Sequence, residues 1–193
     1  MVPPGGAVSR TPPSERGRPS ERAVLEVAAR YLQGEGFRTY LDLDGTDYFD
    51  LVARRGEEVG LVEGKAADRR NVLVQALRRR AWGDWVAVVL GSRRSAERLQ
   101  DRTVLGRASP VGIWTVEGDR LLVLRPARRW AGAGEDDPFR DLRDRFHRIL
   151  DRVDRGELPS GALWSGVNRE VRRAAGGRGF LEWRLDEGRS DPA

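Results

Sequence analysis

The chain has no cysteine, one histidine and one methionine in 193 residues. Without cysteine there are no disulfides, no zinc–thiolate sites and no thiol nucleophile. With His147 as the only histidine, a His-rich metal site is excluded and a Ser-His-Asp triad has little support. No stretch approaches the ~18 consecutive apolar residues that a membrane span needs. The first residues carry no apolar h-region, so no secretory signal is expected. These absences together lead us to expect a cytoplasmic protein without a membrane partner. Lysine is nearly missing too. Of 35 lysine and arginine positions only Lys65 is lysine, so 34 are arginine.

Apolar residues make up 39% of the chain and charged residues 34%, enough for one domain with a modest core under a charged surface. The formal net charge is +5 and the pI about 10.5. A basic balance favours polyanionic partners such as nucleic acid, although thirty acidic residues are interspersed and dilute that signal.

Residues 1–19 are rich in Pro, Gly, Ser and Arg with no apolar period, and read as a disordered tail. Ser20 then suits a helix N-cap, with a helix over Glu21–Gln33 whose apolar stripe is Val24, Leu25, Ala28, Tyr31 and Leu32. Strands are expected at Phe37–Leu43, Tyr48–Arg54 and Val59–Lys65, followed by a helix over Asp68–Trp82. Trp85–Leu90 is continuously apolar, as in a strand buried on both faces. A short helix at Ser95–Gln100 and a hairpin of Val111–Val116 with Arg120–Leu124 follow. The helix between Lys65 and Trp85 makes a βαβ crossover, which predicts parallel neighbours in a mixed sheet flanked by helices. Residues 20–130 form the predicted domain. Residues 131–193 are read as a linker and a mostly helical extension, with helices at Pro138–Arg155 and Gly166–Ala175 and a strand at Phe180–Leu185.

Lys65 acquires meaning from the hairpin before it. A two-residue turn on Gly56-Glu57 has glycine where a type II′ turn requires it. Residues whose numbers add to 113 then face each other, which sets Asp50 opposite Glu63 and Tyr48 opposite Lys65. Alternation puts Asp50, Val52, Leu61, Glu63 and Lys65 on one face. Two facing carboxylates beside apolar neighbours repel and need compensation. A lysine two residues along is one answer and a hard divalent cation a better one, since Mg²⁺ binds through one or two carboxylates plus water and substrate phosphate. Such an ion lowers the pKa of a bound water and neutralises phosphoryl charge. A compact ammonium on the same face stabilises developing negative charge in a way a planar guanidinium does not.

The pattern D50-x12-E63-G64-K65 resembles the signature of the PD-(D/E)xK nuclease superfamily, and the order α-β-β-β-α-β is similar to its restriction-endonuclease-like core. The resemblance spans about Ser20 to Arg125 and is greatest to putative phosphodiesterases of that superfamily. Phe49 stands where some members have proline. The resemblance implies a Mg²⁺- or Mn²⁺-dependent phosphodiesterase acting on nucleic acid, DNA first, with possible pairing of two copies. It implies Asp50 and Glu63 as metal ligands, the Gly64 carbonyl as a third, and Lys65 as the residue that positions or activates water. Many members carry a Glu on the first helix. Glu21 lies within the apolar stripe and Glu26 points away, so Glu21 is preferred. Many also carry a Gln after the ExK strand, and Gln75 fits, on a stripe with Asn71, Arg78, Arg79 and Trp82. Arg69, Arg70, Arg78 and Arg79, with Arg80, are then candidate phosphate contacts.

Plainer readings stand beside this one. Asp50, Glu63 and Lys65 could be a surface salt-bridge cluster, or an inactive remnant in a nucleic-acid-binding or assembly subunit of the same fold. Gln75 could be a solvated helix residue, Glu21 a first-turn acid favoured by the helix dipole, and Arg78–Arg80 a solvated face.

Overall fold

The computed structural model describes residues 19–41, 49–67, 72–101, 110–130 and 139–159. They form α1 (Glu21–Gly34), β1 (Arg38–Leu41), β2 (Leu51–Arg55), β3 (Glu58–Lys65), α2 (Val72–Arg79), β4 (Trp85–Leu90), α3 (Arg93–Asp101), β5 (Gly112–Glu117), β6 (Arg120–Arg125) and α4 (Arg140–Asp154). The expected segments 1–18, 166–175 and 180–185 lie outside the described residues, as do 42–48 and 68–71. No described helix is long and apolar enough to cross a membrane.

The fold is α/β, with one open six-stranded sheet in the order β1-β2-β3-β4-β5-β6. Strands β3, β4 and β5 run parallel, and the outer pairings are antiparallel. The crossover through α2 therefore makes β3 and β4 parallel neighbours, as the sequence predicts. All six residues of β4 are buried, which explains its lack of alternation.

Helix α1 begins where expected. The Ser20 hydroxyl accepts a hydrogen bond from the Ala23 N–H at 3.1 Å. It ends in a Schellman motif: Gly36 takes φ 83°, its N–H reaches Gln33 O, and the Phe37 N–H reaches Leu32 O. Val24, Leu25, Ala28 and Leu32 pack on one face of the sheet against Leu51, Val62, Ala87, Val89 and Trp114. Tyr31 was expected in this stripe but is 37% exposed, and Val27 is buried instead.

The opposite face is covered by α2, α3 and α4. Val52, Leu61, Val88, Leu90 and Ile113 meet Leu73, Ala76, Ala96, Leu99, Phe146 and Leu150 there. The helix read from sequence as part of an extension is built into this core. Phe146 of α4 stacks with Phe49 and Trp82 at centroid distances of 5.3 and 6.0 Å. A polar clasp holds its C-terminal end: Arg54 pairs with Asp151 at 2.6 Å and Asp154 at 2.9 Å, and the Tyr40 hydroxyl donates to Asp154. Trp82, expected on a stripe with Gln75, is instead fully buried in the turn after α2. The helix stops at Arg79, so its 3.6-residue period no longer governs where Trp82 points.

The β2–β3 register is the expected one, from Arg55↔Glu58 through Leu51↔Val62. Gly56 at the turn has φ 58°, and no described non-glycine residue has positive φ, as a type II′ turn requires. Pairing stops at Leu51, however, so Asp50 is not in the ladder opposite Glu63. It sits in a bend just before β2, and Tyr48 lies outside the described residues.

Gly60 makes room for Trp85 on the adjacent strand: a Cβ there would lie 1.9 Å from the indole ring. Gly60→Ala must expel that ring from contacts with Phe37 and Trp114. Overpacking of this kind costs ~1–3 kcal/mol. At about 2–4 °C per kcal/mol for a chain of this size, thermal unfolding should show a clear drop in Tm, and an unchanged Tm would contradict the packing described.

Candidate active site

Strand β3 outlasts β2 by three residues, Glu63, Gly64 and Lys65. Where β2 has ended, the Gly64 N–H has no strand partner, and the Asp50 carboxylate accepts it at 2.8 Å. In a strand the N–H and C=O of one residue face the same neighbour. The Gly64 carbonyl therefore also faces the side that β2 has vacated. Asp50 leaves the ladder because its side chain replaces the missing strand.

Lys65 Nζ gathers the carboxylates. It lies 2.5 Å from Glu21, 3.3 Å from Asp50 and 3.3 Å from Glu63. It donates to Glu21 and Asp50 and pairs ionically with Glu63, so acids from α1, the bend before β2, and β3 itself converge on it. The side chain is 10% exposed, Glu63 is 3% exposed, and Glu21 stands at the open side with 38% exposure. Glu21 arrives from the first turn of α1, which presses directly on β3. A Cβ on Gly64 would lie 2.6 Å from Leu25 of that helix. Glu26 points away and pairs with Arg22 in solvent, as helical phase predicts.

Arg79, at the end of α2, is the partner that sequence reasoning placed differently. It was expected to reach phosphate, and the structure turns it inward to 3.5 Å from Glu63 Oε2 at only 12% exposure. Its place beyond Gln75 on the helix was the available signal. Gln75 is half-buried and makes no hydrogen bond to the cluster among the described residues. Arg78 is exposed on α2, while Arg69 and Arg70 lie outside the described residues. His147 lies on α4, 3.8 Å from Glu57, and plays no part in the cluster.

Burial pushes the Lys65 ammonium down, but Asp50, the hydrogen bond to Glu21 and Glu63 together outweigh it and hold the pKa above its usual value. The surrounding acids therefore favour the ammonium form of Lys65. Glu63 is in the reverse situation. Burial, then the nearby Asp50 charge, raises its pKa, and Arg79 and Lys65 offset this only in part. Its buried Oε2 has no hydrogen-bond partner among the described residues.

Among the described residues no group of three or more His, Cys, Asp and Glu side chains is assembled as a metal cage. A Mg²⁺ or Mn²⁺ ion does not need one. Two carboxylates, a carbonyl and several waters satisfy it. Asp50, Glu63, whose Oε2 is ion-paired with Arg79 but accepts no hydrogen bond among the described residues, and the Gly64 carbonyl fit that donor set. No protein-family model, curated protein or solved structure matches the chain. The geometry of this cluster is thus the main guide to function.

Because the carboxyl of Glu63 is raised on folding, ionising it works against the fold. That loss appears as pH rises from the unfolded value, about 4.5, through the raised folded value. Glu63→Gln removes it. In EDTA at pH 7 the variant should melt above the parent, and the gap should close below pH 4.5. Added Mg²⁺ should raise the Tm of the parent and leave the variant unmoved. A variant that melts lower than the parent at pH 7 would show that the acid serves the fold.

Proposed function

We propose that the chain is a Mg²⁺- or Mn²⁺-dependent phosphodiesterase built on a restriction-endonuclease-like core and hydrolysing the backbone of nucleic acid, DNA first. The observation that carries this reading is the buried Lys65 ammonium held by Glu21, Asp50 and Glu63 where β3 projects past β2. A fold gains little from such a cluster. Removing several charges from water is expensive, and apolar replacements of similar volume are often as stable. Retaining it suits a site that must bind a cation and a phosphate.

In this reading Asp50, Glu63 and the Gly64 carbonyl hold the ion. When bound, it supplies a water of lowered pKa and neutralises charge on the phosphoryl oxygens. Lys65, as an ammonium, orients the attacking water and meets the charge that grows on phosphorus-bound oxygen. Glu21 holds the ammonium from the solvent side, and Arg79 fixes the Glu63 carboxylate from α2. Arg78, exposed on the same helix, is placed to meet the backbone of the substrate. A cytoplasmic setting and pairing of two copies for double-strand cutting belong to the same proposal.

A binding module of the same fold is the second reading. It is favoured by the fact that the Lys65 ammonium already pairs with three acids, so the cluster is self-sufficient as an ion network. Cleavage of supercoiled, linear, single-stranded and branched DNA and of RNA, in Mg²⁺, Mn²⁺ or EDTA, separates the two. Metal-dependent cutting should fall by at least about 10²-fold in Asp50→Ala and in Lys65→Ala, the usual loss when one transition-state contact is removed. Affinity for nucleic acid without cutting on any substrate, unchanged in both variants, would establish the binding module.

A further inference from the structure

The far end of α1 holds a second arrangement that the cluster around Lys65 does not use. A cavity of about 250 Å³ opens there, between the helix and the start of β4. Four aromatic residues line it, beside charged and aliphatic ones. Tyr31 meets Trp114 edge-on at 6.1 Å, Trp85 lies 6.0 Å from Trp114, and Phe37 meets Trp85 edge-on at 5.7 Å. These rings are held in place. Trp85 lies over Gly60 and donates its indole N–H to Glu58 at 3.0 Å. Arg55 lies over Phe37, 4.3 Å from its centroid, and pairs with the second oxygen of Glu58.

Other groups remain open. Tyr31 is 37% exposed, and Glu35 and Arg129 also line the opening. The Arg129 side chain is 66% exposed and reaches Asp84 only at 3.4 Å.

We propose that this cavity binds a single unpaired nucleobase. The aromatic walls suit a planar ring, and stacking on aromatic side chains accepts any base. An exocyclic amine answers the Glu35 carboxylate, and the attached phosphate meets Arg129. A bare anion would face Glu35 and Glu58 as well as the arginines. The volume lies below the ~300–1,000 Å³ of sites for drug-sized ligands, which suits one base. A base inside a duplex cannot enter, so the site selects single strands, ends or extruded nucleotides.

Tyr31 lies ten residues along α1 from Glu21, about 15 Å at 1.5 Å per residue. The bound base therefore belongs to a nucleotide some way along the strand from the phosphate to be cut. That placement rests on the nuclease reading, whereas recognition of the base does not.

Calorimetric titration of the full chain in EDTA tests the site without catalysis. The probes are adenosine and cytidine monophosphates, ribose 5-phosphate and cyclohexanol. Both nucleotides should bind saturably, and the other two should not. Tyr31→Ala, at an exposed position that leaves the fold intact by circular dichroism, should weaken binding about tenfold, and Trp114→Phe should weaken it less. Absence of nucleotide binding, equal binding of ribose 5-phosphate or of cyclohexanol, or full affinity in Tyr31→Ala would overturn the proposal. Nucleotide binding in a chain that cuts nothing would retire the nuclease reading alone. Metal-dependent cutting without nucleotide binding would retire the base site alone.

Discussion

One ammonium organises the end of the sheet. Lys65 is drawn almost out of solvent and surrounded by acids from three separate parts of the chain. Each contact requires a different element to stop or start at a set place. Strand β2 must end early so that Asp50 can turn and cap Gly64. Helix α1 must begin at Glu21 so that its first acid faces the strand end. Helix α2 must finish at Arg79 so that a guanidinium reaches Glu63. The element boundaries around β3 thus serve electrostatics as much as packing.

The remainder of the fold is arranged to hold these boundaries. Two apolar layers clamp the sheet, α1 on one side and α2, α3 and α4 on the other. The Phe49–Trp82–Phe146 contacts bind the residue before Asp50, the turn after Arg79 and the last described helix into one aromatic unit. Both flanks of the charged cluster are therefore anchored in the same apolar mass. Such anchoring keeps like charges close without letting them relax apart.

Much of this was legible in the residues, for identifiable reasons. The Gly56-Glu57 turn fixed the hairpin register, because glycine at that position permits one turn type and one pairing. The apolar stripe of α1 separated Glu21 from Glu26, because helical phase leaves only one facing the sheet. What escaped was tertiary. Nothing local says that β2 stops at Leu51, since the strand pattern continues through Asp50, and only the Gly64 N–H it must cap explains the bend. Arginine at position 79 reads as a surface residue in a chain full of arginines, and its inward turn depends on a buried acid distant in sequence. The charged composition of residues 140–154 suggested a separate extension, yet Leu142, Phe146, Leu150 and Val153 are enough to seat that helix in the core.

Gly64 bears a different kind of consequence. Its hydrogen atom is all that fits beneath Leu25, so helix and strand touch backbone to side chain. Any larger residue would have to displace the Leu25 side chain that seats α1 on β3, beside the turn that carries Glu21. Drift at this position is then closed off by geometry even though glycine has no chemistry of its own. The middle letter of the E-G-K triplet has in this chain only one workable spelling.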